Sequence, residues 1–370
     1  MKWAISIRVA IMFGTAVSLP IPAEAQSTIK VTADPDCSDC AIQFGLSFTI
    51  GGVDDRSQLA QPNGAAMTSK GELLLSHIAA PNQVFVYDNA GRFLRAFGRA
   101  GQGPGEFRLV RSLRVGRGDT LYVFDNGVPR ISVFDGTHNF VRATPAVANS
   151  NDFVPVQSGE FVMNAIRRTP NEVGYPLHLV GSSGITRSFG TENPEFRSDL
   201  ASLLNRRLAV GNDGVLWAAH ETAYQIDMLD ASGRVVKRLI RDVNWFTPHA
   251  SSPRIEPDKP PAPRVRDFRV DANGLLWLLI RVADPNWKNA LTTQGRVQGR
   301  TFLGYTTPDA YFDSIIEVID PRTGRLVASG RSPDALLFLL DYGSALSYRE
   351  IEGVPYVDVW RVSTQLQTGR

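Results

Sequence analysis

Lysine is nearly missing from this chain: of 39 basic residues only six are lysines, at positions 2, 30, 70, 237, 259 and 288, so arginine carries the positive charge. The net charge is only +2, which gives no strong pull toward nucleic acid. Cysteine is scarcer still, with Cys37 and Cys40 alone. In an exported chain their default state is a disulfide, but a loop of two residues pins a local turn rather than holding a fold. A redox role would need the pair at a helix start after a strand, and nothing around it has that pattern. Helical periodicity is almost absent, and only residues 194–207, with Leu200, Leu203, Leu204 and Leu208, suggest a short helical turn. No strand, Gly-x-Ser-x-Gly, helix elbow exists for a serine nucleophile.

Long apolar runs are confined to the N-terminus. Lys2 and Arg8 precede an apolar run through Leu19, followed by Ala23-Glu24-Ala25, so residues 1–25 read as a signal peptide. No later stretch approaches the roughly 20 apolar residues of a membrane span, and an exported chain in the periplasm or outside the cell is expected. Neither cysteine directly follows the leader, which argues against a lipid anchor there.

What the chain has in abundance is short alternating runs separated by glycine turns. Residues 84–98, VFVYDNAGRFLRAFG, place two such runs around Asp88-Asn89-Ala90-Gly91, a β-hairpin with glycine supplying a positive φ. The glycine-rich loop that follows, through Glu106 and Phe107, leads back into strand at 107–115 rather than into a helix, so it is a connection and not a phosphate cradle. Strongly apolar strands recur at 72–77, 120–125, 160–165, 215–220 and 275–280, with hairpin turns at 88–91, 135–136, 181–184, 230–233 and 320–324. A four-strand unit at this spacing is a propeller blade. Five complete units leave three C-terminal strands, at 335–340, 345–351 and 354–362, and one N-terminal strand at 42–50. Together they make a sixth.

The expected fold is therefore all-β: a six-bladed β-propeller of four-stranded antiparallel blades over residues 42–365, closed by pairing the N-terminal strand with the C-terminal blade. Residues 26–41 form a preceding segment with the cysteine pair, and 281–313 an inserted flap in the fifth blade. The repeat, Gly-x-Leu-x-Val-x-Asp, a strand ending Phe-Asp, then Gly-x-Phe and Phe-Gly before a glycine-rich loop ending Glu-Phe, resembles the NHL repeat, sharpest at 84–107 and 121–135. The resemblance implies an exported bacterial six-bladed propeller. It leaves function open, because similar propellers bind protein or RNA, or act as peptide-amide lyases and metal-dependent hydrolases.

Strand order puts the long connections, 78–83, 99–111, 167–176, 191–207, 242–264 and 281–313, on one face. Ligands of propellers sit at such a mouth. The flap carries Trp287, Phe302, Tyr305, Tyr311 and Phe312 with Lys288, Arg296 and Arg300, suited to a planar, sugar-like or anionic ligand or to packing on its own blade. Six residues past each turn glycine the NHL repeat usually has aspartate. Here that position holds His77, Asp125 and His220, with Ala165 and Ile280 in the remaining units. Capping of backbone is the simpler role for these three; as a metal or acid–base set they would have to meet near the channel centre, within about 2.1 Å of one ion.

The function expected from these residues is non-catalytic recognition of a protein, peptide or glycan through Arg99, Arg167, Arg168, Trp287, Arg296, Arg300 and Tyr305, without a cofactor and without nucleic acid. The alternatives are a lyase or hydrolase using a divalent metal, zinc or calcium, with His77, Asp125 and His220, and a structural module of a cell-surface assembly.

Overall fold

Short runs of alternating residues, each stopped by a glycine or aspartate turn, can bury one face only by stacking sheet on sheet. In the computed structural model, which describes residues 27–35, 40–53, 59–169, 172–190, 198–250, 255–297, 300–341 and 343–364, they do so as six blades around a central channel. The leader and Cys37 lie outside the described residues.

Blade 1 runs from the channel outward as Pro62–Met67, Leu73–His77, Val84–Tyr87 and Phe93–Phe97. Blade 2 follows as Val110–Val115, Leu121–Asp125, Arg130–Phe134 and Phe140–Pro145. Blade 3 comprises Asp152–Pro155, Phe161–Asn164, Leu177–Gly181 and Gly184–Phe189, and blade 4 Arg206–Val210, Leu216–His220, Gln225–Leu229 and Val235–Ile240. Blade 5, Arg264–Val270, Leu276–Ala283, Phe312–Asp320 and Arg325–Ser332, is interrupted between its second and third strands. Blade 6 takes Phe338–Asp341, Ser344–Ile351 and Val354–Thr364 from the C-terminal end and its outer strand, Ile42–Gly51, from the N-terminal end. All pairings within the blades are antiparallel, and the closing pair runs from Ile42 opposite Thr364 to Gly51 opposite Tyr356.

The apolar core lies between neighbouring blades rather than at the channel. Leu276, Leu278 and Ile280 of blade 5 pack toward blade 4, while Trp277 and Leu279 on the other face pack toward blade 6. The two-residue period of a strand feeds both interfaces at once. Tight turns help set the spacing. Gly98 has φ +91°, and a Cβ there would stand 2.6 Å from the Phe107 ring and 2.9 Å from the Asn82 carbonyl oxygen, so this hand-over into blade 2 requires glycine.

Two features go beyond the repeat. Ser27–Lys30 adds a fifth strand to blade 4, parallel to Val235–Ile240. The segment after it crosses the outside of blade 5, where Thr32 N–H donates to the Gly324 carbonyl and Ser329 N–H to that of Cys40, before entering blade 6. The insertion in blade 5 forms a two-stranded hairpin, Leu291–Val297 with Arg300–Tyr305, flanked by the short helical turns Trp287–Ala290 and Pro308–Tyr311. The leucine-rich stretch before blade 4 contributes a 3-10 helix, Ser198–Leu204. No helix among the described residues is long and apolar enough to cross a membrane.

Candidate functional site

The first strand of every blade lines the channel, and a layer of ion pairs divides it. Arg114 meets Asp152 at 2.6 Å, and Arg269 meets Asp267 at 3.0 Å. Backbone amides finish both carboxylates: Phe153 and Leu208 N–H donate to Asp152, Phe268 and Leu339 N–H to Asp267. These contacts tie blades 2, 3 and 4 together and blade 5 to blade 6. Burial pushes Asp267 up to about 6, with Arg114 pulling the other way and Asp152 adding to the rise.

A cavity opens on each side of this layer. The one on the side of the tight turns, about 560 Å³, is lined by Arg117, Tyr122, Val156, Asn212 and neighbouring residues. The one on the loop-rich side, about 540 Å³, is bounded by Arg111, Arg114, Arg207, Arg264, Arg266 and Arg269 against only three carboxylates, Asp152, Glu221 and Asp267. Both volumes suit a small-molecule site. Asp152 and Asp267 are consumed by the dividing layer, and Glu221 accepts from Arg264 at 3.2 Å and Asn151 at 3.4 Å. The remaining arginines have little to neutralise them.

Local irregularity brings these arginines in. The first strand of blade 5 carries a β-bulge between Val265 and Asp267, so Arg266 is an extra residue with no partner in the ladder, and it faces the cavity. The bulge in blade 2, between Val110 and Ser112, does the same for Arg111. Arg264 pairs across the ladder with Arg281 at the root of the insertion. Burial, then Arg281 and Arg207, push Arg266 down to about 9, and Glu221 is the only carboxylate that opposes them appreciably. Arg281 is likewise lowered, chiefly by burial.

Pairing register also corrects the series of positions read from the turn glycines. In blades 1 to 5 the residue that faces the start of the inner strand is His77 opposite Pro62, Asp125 opposite Val110, Asn164 opposite Asp152, His220 opposite Arg206 and Arg281 opposite Arg264. Counting six residues forward lands on Ala165 and Ile280, one position out in opposite directions. The interval from the turn glycine to the strand end is not constant between blades, and in blade 2 Asp119 takes the positive φ in place of glycine.

The residues singled out as metal ligands do not meet. His77 is fully buried with its ring 4.6 Å from that of Phe85. Asp125 accepts backbone N–H groups of Arg108, Leu109, Gly127 and Val128, fastening the loop into blade 2. His220 sits 3.0 Å from Asp227, which is also held by Arg238 at 2.7 Å. Among the described residues no three His, Cys, Asp or Glu side chains are grouped to hold one ion.

Of the other expected contact residues, Arg99 is exposed and paired with Glu106 at 2.8 Å, Arg167 lies 3.0 Å from Glu172, and Arg168 is exposed. The flap aromatics form a small core of their own. Trp287 packs edge-on to Tyr311, and Tyr305 stacks on Tyr311 with centroids 4.8 Å apart. Arg281 covers the Phe312 ring at 4.9 Å, joining this core to the arginine cluster. Phe302 remains 52% exposed. Arg296 and Arg300 are placed by backbone register in the hairpin, and their side chains lie outside the described residues.

Comparison with known proteins agrees with this architecture. A family described as a 6-bladed beta-propeller matches residues 64–199. No curated protein matches the chain in sequence. Among solved structures, the chain is similar to a "Putative exported protein" from Bacteroides fragilis, at 12% identity and TM-score 0.55, covering 92% of this chain and 100% of that one. It is also similar to a member of the DUF4221 family from Bacteroides vulgatus, at 8% identity and TM-score 0.58, covering 88% and 99%. At such identities the likeness is one of fold: a six-bladed β-propeller.

Proposed function

We propose that this chain is an exported recognition scaffold of the NHL-like type that presents its loop-rich face to a protein, peptide or glycan. The cavity at the loop-rich mouth carries the reading, because it joins a volume fit for a ligand to arginines that the chain itself leaves unneutralised. Export to the periplasm or beyond is supported by the leader pattern of residues 1–25 and by a structural neighbour that bears the name of an exported protein. In that compartment Cys37 and Cys40 form a local disulfide. Arg296 and Arg300, on the hairpin inserted in blade 5, are assigned to this reading as contacts.

The test is binding of the mature chain to peptide and glycan arrays, repeated with Arg296→Ala/Arg300→Ala and with Arg117→Ala at the opposite mouth. The expected result is a partner whose affinity falls at least tenfold in the flap variant, with melting temperature unchanged and Arg117→Ala silent. Loss of binding in Arg117→Ala alone would put the site at the other end of the channel and defeat the proposal.

A further inference from the structure

Arginine side chains that line a cavity are ordinary when each is answered by a carboxylate or a carbonyl. Here two are not, nor is Arg281 at the root of the insertion. Arg266 makes no hydrogen bond or ion pair with any described residue, and its Nε is buried. Arg281 has both Nε and Nη2 buried without a hydrogen-bond partner; its guanidinium rests on the Phe312 ring, and Asp309 offsets part of its charge from a distance. Arg207 makes a single bond, from Nη1 to the Asn151 carbonyl at 3.2 Å, and its Nε is buried and unbonded. Leaving such groups unsatisfied is costly, and folded chains avoid it except where water, an ion or a ligand completes the set.

The chemistry of the missing partner follows from the donors. A guanidinium offers N–H groups in a planar fork that matches a carboxylate, sulfate or phosphate through two parallel bonds. Two such guanidiniums line the cavity while Glu221 is already held by Arg264 and Asn151, so one singly charged group cannot satisfy them. The neutral part of the lining is polar as well, with Asn63, Ser112 and Asn205 available to hydroxyl or amide groups. We propose that the loop-rich mouth of the channel receives a small ligand bearing two or more oxyanion groups, gripped by Arg266 and Arg207 of the lining. This assignment rests on the scaffold reading above and names the ligand chemistry for the same face.

The experiment is calorimetric titration of the mature chain with citrate, trigalacturonate and triglutamate, with acetate as the singly charged comparator and sodium chloride matching ionic strength. Wild type is compared with Arg266→Gln, Arg207→Gln and a control at the exposed Arg92 of the outer hairpin of blade 1, Arg92→Gln. Saturable binding of at least one multivalent acid is expected, more than tenfold tighter than acetate. It should weaken at least tenfold in Arg266→Gln and Arg207→Gln and persist in Arg92→Gln. Unliganded Arg266→Gln should melt no lower than wild type, since it removes a charge that no hydrogen bond or ion pair answers. Which acid binds identifies the source as sugar acid, acidic peptide or free tricarboxylate. Equal binding by wild type and whichever glutamine variant folds, acetate matching the multivalent acids, or no saturable binding by any acid would each overturn the proposal. A partner found on the arrays that binds through the flap without regard to these variants would leave the scaffold reading standing and remove only this ligand class.

Discussion

His220 occupies the ladder position that elsewhere holds Asp125 or Arg281, yet its surroundings give it a different role. Burial and the nearby Arg206 disfavour the imidazolium and lower its pKa to about 4, while Asp227 partly offsets them. The unfolded chain takes up this proton below about 6.5, and the fold resists it until about pH 4, so the stability that the neutral ring contributes is lost as pH falls through that window. The penalty approaches roughly 2–3 kcal/mol at its lower end. Asp267 acts oppositely: raised to about 6, it favours the fold as pH falls toward 3.8. The two effects separate by mutation. Urea unfolding of His220→Gln against wild type, at pH 7 and pH 4.5, should show the variant losing less stability on acidification. A wild-type loss no greater than the variant's would remove His220 as an acid-sensitive element. At this scale little was legible in the sequence. Residue types could be seen, but not that a bulge would turn Arg266 into the channel or that unequal turn lengths would set Arg281 and Asn164 in register with His77.

Strands were easier to read, because alternation over four to six residues is a local property and each run ends at its own turn. The strand the pattern did not reveal is Ser27–Lys30, only four residues long, mostly exposed and held by parallel pairing to a strand more than 200 residues away. A buried polar clasp helps to seat that segment. Arg241, at the end of blade 4, lies 2.8 Å from Glu317 of blade 5, and both side chains are almost fully buried. Its other nitrogens donate to the carbonyls of Thr32 and Ala33, and the Tyr224 hydroxyl donates to Glu317. Glu317→Gln would keep the shape but leave Arg241 buried without its counter-charge, a change that costs about 3–5 kcal/mol. Chemical denaturation should register that loss. A change under 1 kcal/mol would mean that the backbone carbonyls alone suffice for Arg241.

The whole circle depends on one long-range pairing. Blade 6 joins strands from both ends of the chain: its outer strand pairs with Val354–Thr364, more than 300 residues later in sequence, and buries Ile42 toward blade 5 and Ile50 toward blade 1. The six-unit count and the N-terminal remainder made this closure legible, since a lone strand and three strands are each incomplete without the other. The segment before it differs in kind: residues 27–35 add an edge to blade 4, but no blade needs them to complete its four strands. Two truncations separate these roles. A chain starting at residue 36 should fold with a modest loss, through the vacated carbonyl contacts of Arg241. A chain starting at residue 52 loses the outer strand of blade 6, uncovers the edge of Val354–Thr364 and gives up roughly 1.5–3 kcal/mol for each buried isoleucine. It should aggregate or unfold at much lower urea than the chain starting at residue 36, with a reduced dependence on denaturant if the remaining five blades stay folded. Equal midpoints for the two truncations would show that the circle holds without its closing strand, and that interblade packing rather than chain closure maintains the channel and its arginine-lined mouth.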